Sequence, residues 1–578
     1  MGGPLPTRPP GRPVRAPATI PTSRGVTNAQ RGRSLWGIGN AARAHLVETL
    51  PSGLGFDDPA PGPAPHGPAA PAASAESTAE ALIRLVEASR ATIDLTALYW
   101  SLRPSADEED TAAWTVAELI ERFGAGHGAA LFAALDAAAA RRVRIRILQS
   151  PGFDRPAPGG GAPPPPSDSA VLRATHPDVV EVRTVDLEAW YGGGIMHQKL
   201  WVFDGRSVYV GSSNTDWRSL SQVKELGVVV EDAPEVAADA TRYFDAWWRF
   251  AAAPVETTVV FDPVSRIERR VPAWSPAVAG TDGDGRGDDH GDGDGCRPAG
   301  PLDDPDLRAL SSWDAPLRVR LGGEPGDVVL SGAPRELCVG GRTADEDLLT
   351  ATILDARRQV CVNVMDFAPI SLRRPPRARP PEREATDDAA GAEGRVHGAA
   401  GPAAETADHG QTGADRADDG PGPVWWPALT DALLRAAVTN RAHVRLLVSE
   451  WAHTSAVVAP LLVALAATAR AALGPRAADR FEVRRFRVPG WRSTWRRPDD
   501  DAPEPGPRPA HPGHTRVNHV KYVVTDRRIN VGTSNMTWDY FNGTAGTSLN
   551  ATHPALVRRL QALFDRDWAS DWSLPLQP

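Results

Sequence analysis

One spaced pattern occurs twice in this 578-residue chain, and a chain that repeats such a pattern is constrained to build the same local structure twice. The first copy, MHQKLWVFDGRSVYVGSSNTDW at 196–217, carries His197, Lys199, Asp204, Gly211, Ser212 and Asn214. The second, NHVKYVVTDRRINVGTSNMTW at 518–538, carries His519, Lys521, Asp526, Gly532, Thr533 and Asn535. Both read His-x-Lys-x4-Asp, then an apolar run, then Gly-Ser/Thr-Ser-Asn-x-x-Trp, and the second is one residue shorter between Asp and Gly. Around each lysine apolar residues alternate (Leu200 and Val202; Tyr522 and Val524), which reads as a β-strand. Residues two apart on a strand face the same side, so each His and Lys project together. A return strand (207–210; 528–531) then reaches the Gly turn and delivers Asn beside them. An imidazole, an ammonium and an amide in one place make a site for an anionic phosphoryl group.

The segments around the two copies repeat as well. Before the first, 77–90 and 129–141 read as helices and 91–100, 143–148 and 179–185 as strands. After it come a strand at 226–230 and an amphipathic helix at 235–250. Before the second, 345–358, 426–440 and 455–472 read as helices and 360–367, 444–448 and 481–488 as strands, and a closing helix covers 554–572. This alternation implies an α/β fold of two duplicated halves on parallel or mixed sheets. The expected organisation is a disordered tail and lead-in at 1–73 and a first half at 74–255. A connector with an acidic Gly/Asp linker follows at 256–335. The second half begins at 336–372, is interrupted by a disordered insert at 373–423, and resumes at 424–578. A Gly/Pro-rich insert is also expected at 155–166.

The net charge of −9 seems at odds with a polyanionic substrate until it is apportioned. Residues 281–295 contribute −5 and 381–420 contribute −7, so the remainder stands at +3. The overall sign belongs to the inserts. The acidic stretch 280–295 is not an EF-hand, because its fifth and twelfth positions are Arg286 and Gly293. Three cysteines are too few for a disulfide framework; Cys361 reads as core, and a Cys296–Cys338 bridge has no support. No metal site and no cofactor is expected. No apolar run is long enough for a transmembrane helix. Seven Arg precede the first acidic residue, Glu48, which reads as a basic tail rather than a secretory signal, and no compartment is assigned.

The two copies resemble the paired HKD motifs of the phospholipase D superfamily. More narrowly, DWRSLSQVKELGVVV (216–230) and VNHVKYVVTD with VGTSNMTWDYF (517–541) resemble the branch of lysosomal phospholipase-D-like 5′ exonucleases and some poxvirus envelope proteins. The resemblance spans about residues 46–572 outside the inserts. It implies two phospholipase-D-like halves about a pseudo-twofold axis, with the active site at their interface. It also implies a metal-independent phosphodiesterase working through a phosphohistidine, with His197 as nucleophile and His519 as acid and base. Lys199, Lys521, Asn214 and Asn535 would bind phosphate oxygens. Asp204 and Asp526 would orient an imidazole, or else cap a turn. Ser212 and Thr533 would donate to phosphate or fix the Gly turn, and Glu225 would be catalytic or a structural ion pair. Trp217 and Trp538 are expected in the core, and Tyr540 and Phe541 to stack a base or line an acyl groove.

The expected partner is single-stranded nucleic acid. Residues 481–498, FEVRRFRVPGWRSTWRRP, interleave Arg with Phe486, Trp491 and Trp495, which suits a backbone and its bases, although a half-exposed strand with solvated Arg reads equally well. The alternative is a phospholipase D or transphosphatidylase acting on phospholipids; it lacks a basic amphipathic helix beside the motifs. A homodimer is left open.

Overall fold

The computed structural model describes residues 42–56, 75–106, 110–151, 166–262, 267–275, 300–372, 422–475, 477–494 and 509–576. The basic tail up to residue 41, the body of the three inserts, Cys296 and Trp495 lie outside them.

Among the described residues the chain forms two large mixed sheets. The first is ordered Glu76–Ser77, Arg43–Thr49, Glu225–Glu231, Ser207–Gly211, Leu200–Phe203, Thr92–Ala97, Arg144–Gln149, Val180–Thr184. The second runs Leu317–Leu321, Glu324–Ala333, Gly546–Ala551, Ile529–Gly532, Lys521–Thr525, Gln359–Val364, His443–Ser449, Phe481–Phe486, Ser573–Pro575. From Arg43–Thr49 and Glu324–Ala333 onward the orders correspond strand for strand. In each sheet an antiparallel pair carries the motif, and parallel strands with crossover helices flank it. The class is therefore α/β with mixed sheets, built twice.

Motif strands have apolar residues on both faces because each sheet is covered on both. Trp201, Phe203 and Tyr209 pack with the helices Thr78–Ala88 and Gly126–Ala140. Leu200, Val202, Val208 and Val210 point the other way, toward the helix Pro234–Phe250. That second cluster also contains Tyr522, Val524, Val531, Leu549 and Phe564, so one core is shared by both repeats. The shared core holds the two motifs in register with each other.

Strands fall where the sequence reading placed a lead-in and a connector, and two of them extend the sheets that carry the motifs. Arg43–Thr49 pairs antiparallel with Glu225–Glu231, and Glu324–Ala333 pairs antiparallel with Gly546–Ala551. The first hides its period because neighbours Leu46 and Val47 enter different apolar clusters on opposite faces, so no alternation is visible. No helix among the described residues is long and apolar enough to cross a membrane.

Candidate active site

Each motif histidine sits just before a buried strand, Leu200–Phe203 or Lys521–Thr525. Its backbone is held by the other repeat. Met196 bridges Ala545, and Asn518 bridges Lys224. The N–H of His197 donates to Ala545 O at 3.1 Å, and the N–H of His519 donates to Lys224 O at 2.8 Å. These reciprocal bridges are a local twofold relation, and they bring the two imidazoles to 6.3 Å between ring centroids, edge to face at 70°. Lys199 Nζ donates to His197 O at 3.0 Å, and Lys521 Nζ donates to His519 O at 2.6 Å, so each ammonium is folded against its own histidine. All four side chains are buried.

The twofold relation breaks at the imidazole Nδ1 atoms. His519 Nδ1 faces both oxygens of Glu225 at 2.9 Å. His197 Nδ1 lies 2.8 Å from the carbonyl oxygen of Thr533. A carbonyl can only accept, so the His197 ring carries a proton on Nδ1, and in its neutral form the lone pair is at Nε2. A carboxylate instead stabilises an imidazole protonated on both nitrogens. The register explains the difference. Ser212 N donates to Leu226 O and Thr533 N to Thr547 O, so Gly546 occupies in the second repeat the place of Glu225 in the first. A Cβ at Gly546 would lie 2.2 Å from Ser534 Oγ, so a side chain there would displace the Ser534 hydroxyl. Burial pushes the Glu225 carboxyl up to about 7, and Lys521, Ser212 and Lys199 restrain the rise. Sequence reading left Glu225 between a catalytic role and a structural ion pair; its partner is a motif histidine 294 residues away.

The remaining candidates divide. Asn214 lies half-buried in the Gly turn, and its amide oxygen has no hydrogen-bond partner among the described residues. Asn535 is fully buried, and its Nδ2 donates to Asp366 at 2.9 Å, a partner the sequence did not suggest. Ser212 Oγ donates to Glu225, and Thr533 Oγ1 accepts from Thr547 N at 3.0 Å; both hydroxyls serve the turn and its neighbours. Asp204 and Asp526 do not orient an imidazole. Asp204 accepts from the N–H groups of Arg90, Ala91 and Thr92 at 2.7–2.9 Å. Asp526 does the same for Arg357, Arg358 and Gln359 at 3.0–3.3 Å. Each sits at the far end of its strand from the histidine, five residues past the lysine, and pins the entry of the neighbouring strand.

Among the aromatics, Tyr540 packs edge-on against His197 with centroids 5.1 Å apart, at the site. Phe541 is stacked on Trp426 at 5.1 Å inside an apolar cluster, which corrects the expectation that it lines a substrate groove. Trp217 and Trp538 are core residues, as read. The Arg-rich stretch is also largely engaged within the fold. Arg485 and Arg487 pair with Glu450, Arg484 lies over Trp568, and Phe486 is fully buried. Arginine alternation there reflects an inner strand with paired cations.

Residues 120–248 match the family described as "Cardiolipin synthase, PLD-like domain". Over 533 residues the chain is 28% identical to the 5′-3′ exonuclease PLD3 of Rattus norvegicus, covering 92% of this chain and 80% of that protein. The chain thus carries a PLD-like domain and is similar over most of its length to phospholipase D superfamily proteins. It is also 28% identical over 400 residues to the virion nicking-joining enzyme of vaccinia virus (strain Western Reserve), covering 69% of this chain and 68% of that protein. Among solved structures, phosphatidylserine synthase of Haemophilus influenzae aligns with 86% of this chain and 85% of its own, at 11% identity and a TM-score of 0.43. The domain match and the named relatives support a phosphodiesterase. What the motif signature hides is the pairing of each histidine across the repeats, because no spacing within one copy encodes a contact to the other.

Proposed function

We propose that the protein is a 5′ exonuclease that shortens single-stranded nucleic acid through a phosphohistidine, without a metal, and releases nucleoside 3′-phosphates. The observation that carries this reading is the unequal pairing of His197 and His519. It supports His197 as nucleophile, because its tautomer presents a lone pair at Nε2. It supports His519 as the proton carrier, because Glu225 can stabilise its charged form. The relatives named as an exonuclease and as a nicking-joining enzyme support nucleic acid as the substrate. On this reading the halves at 74–255 and 336–578 (the insert at 373–423 aside) each supply one motif.

In the first step Nε2 of His197 attacks phosphorus and the P–O5′ bond breaks. His519 gives its proton to the departing 5′ oxygen. In the second, His519 takes a proton from water, the oxygen attacks phosphorus, and the N–P bond breaks to leave a 3′-phosphate. Lys199, Lys521 and Asn214 neutralise and orient the non-bridging oxygens, and Tyr540 steadies the His197 ring. Asn535 holds the second Gly turn through Asp366 rather than reaching the phosphate by Nδ2.

The test is purified protein with 5′-hydroxyl and 5′-phosphorylated single strands, with duplexes, and with phosphatidylcholine, each with and without chelator. Stepwise loss of nucleoside 3′-phosphates from 5′-hydroxyl strands, unaffected by chelator and slowed by a 5′-phosphate, is expected by mass spectrometry. Internal cuts, 5′-monophosphate products, or choline release with no oligonucleotide degradation would overturn the assignment.

A further inference from the structure

Beside the second motif lies an aromatic cluster that the phosphoryl chemistry does not use. His453 and His514 are stacked nearly parallel, with centroids 4.9 Å apart and planes 10° apart. Trp451 meets both edge to face, with centroids 4.7 Å from His453 and 6.1 Å from His514. Trp451 is buried, whereas the two imidazoles are half-buried. The cluster is close to the reacting groups. Trp451 shares an apolar cluster with Val223, Met365 and Val517. Met365 Sδ is 3.8 Å from Lys521 Nζ, Val223 precedes Lys224 and Glu225, and Val517 stands two residues before His519.

Both segments are held in place before any ligand arrives. Trp451 N donates to Thr454 Oγ1 at 2.9 Å, and Thr454 N returns to Trp451 O at 3.2 Å, which closes the turn carrying His453. On the other side, Gly513 N donates to Asp110 O at 3.1 Å and Arg516 N to Gln222 O at 3.0 Å. His514 between them has a φ of 54°, in the left-handed region that a bulky residue enters at some cost. Backbone strain kept at a site's edge by surrounding hydrogen bonds is a pattern of pre-organised binding surfaces. A rigid aromatic surface loses little entropy when a flat ring lies on it.

We propose that Trp451, His453 and His514 form a nucleobase-stacking subsite, which holds the base of a nucleotide whose phosphate occupies the Lys199–Lys521 site. The proposal rests on the nucleic-acid reading above. Stacking is tolerant of base identity, since every base has a π face, so the subsite grips the strand without reading its sequence.

The experiment compares KM for an intact 5′-hydroxyl oligonucleotide with KM for oligonucleotides carrying one abasic nucleotide at each of the first three positions. In the wild-type chain one abasic position should raise KM by roughly tenfold, the lower part of the range for losing a stacked base. In His453→Ala that ratio should fall toward one, because base and platform act on the same contact, and in His453→Phe it should return. His453→Ser is a second non-aromatic replacement with the same expectation, and melting temperatures identify a variant that has lost its fold. An abasic penalty that persists in full in both His453→Ala and His453→Ser, or no penalty at any position in the wild type, would overturn the subsite while leaving the exonuclease reading in place. Failure of the wild type to shorten any oligonucleotide would overturn the nucleic-acid reading and the subsite with it.

Discussion

Replacing Glu225 by Gln should make the protein more stable at neutral pH and less active. The carboxyl is fully buried, and burial lifts it from 4.5 to about 7. A carboxyl raised in the folded state favours folding fully below its unfolded value, and that contribution is lost as pH rises through the folded value. Here the window runs from 4.5 to about 7. At ~1.4 kcal/mol per unit, the wild type should lose about 3 kcal/mol across it that the Gln variant keeps. Gln can still accept from His519 Nδ1 but supplies no charge. Hydrogen bonds to charged groups exceed neutral ones by about 1–2 kcal/mol, which predicts a kcat lower by roughly five- to thirtyfold. The assay is urea unfolding of both proteins at pH 4.5 and pH 8, alongside kcat on a 5′-hydroxyl oligonucleotide. If the stability difference between the two proteins is the same at both pH values, Glu225 does not carry a buried charge at neutral pH. If kcat is unchanged, its contact with His519 has no part in proton transfer.

His197→Ala and His519→Ala should each abolish nearly all turnover, and the double variant should be little worse than either, since the pair acts as one unit; single-turnover kinetics check this. Asp526→Ala should lower stability by about 1–2 kcal/mol through loss of its backbone partners while kcat stays within a few-fold, measured by thermal unfolding and steady-state rates. Burial opposes ionisation of that carboxyl, but the N–H groups of Arg358, Arg357 and Gln359 hold it below its ordinary value, so its stabilising effect should fade as pH falls through the acid range. Lys224→Met should cost about 3 kcal/mol in urea unfolding, because it removes one of the two cations shared by the buried carboxylates of Glu48 and Asp567 and leaves only Arg566. Lys224 Nζ is 3.2 Å from Glu48 and 2.9 Å from Asp567, and burial would raise the Glu48 carboxyl were Lys224 and Arg566 not pulling it down to about 2.

The duplicated motif, the two α/β repeats and the pairing of each His with its Lys were legible in the order of residues. A strand's period of two and the spacing of turn residues are local properties, and the sequence records local properties directly. For Asp204 and Asp526 the sequence left an imidazole partner or a turn cap open. A strand of four or five residues carries them to the other end of the sheet, where they accept from backbone N–H groups. The strand Arg43–Thr49 was invisible, since both of its faces are buried and no alternation survives. The inequality of the two histidines belongs to tertiary structure alone. It depends on Glu225 reaching across the shared core to His519, and on Gly546 standing in the corresponding place of the second repeat with no side chain to offer. Two copies of one motif encode equal chemistry, and only the packing between the repeats, which no stretch of either contains, gives one imidazole a carbonyl partner and the other a carboxylate.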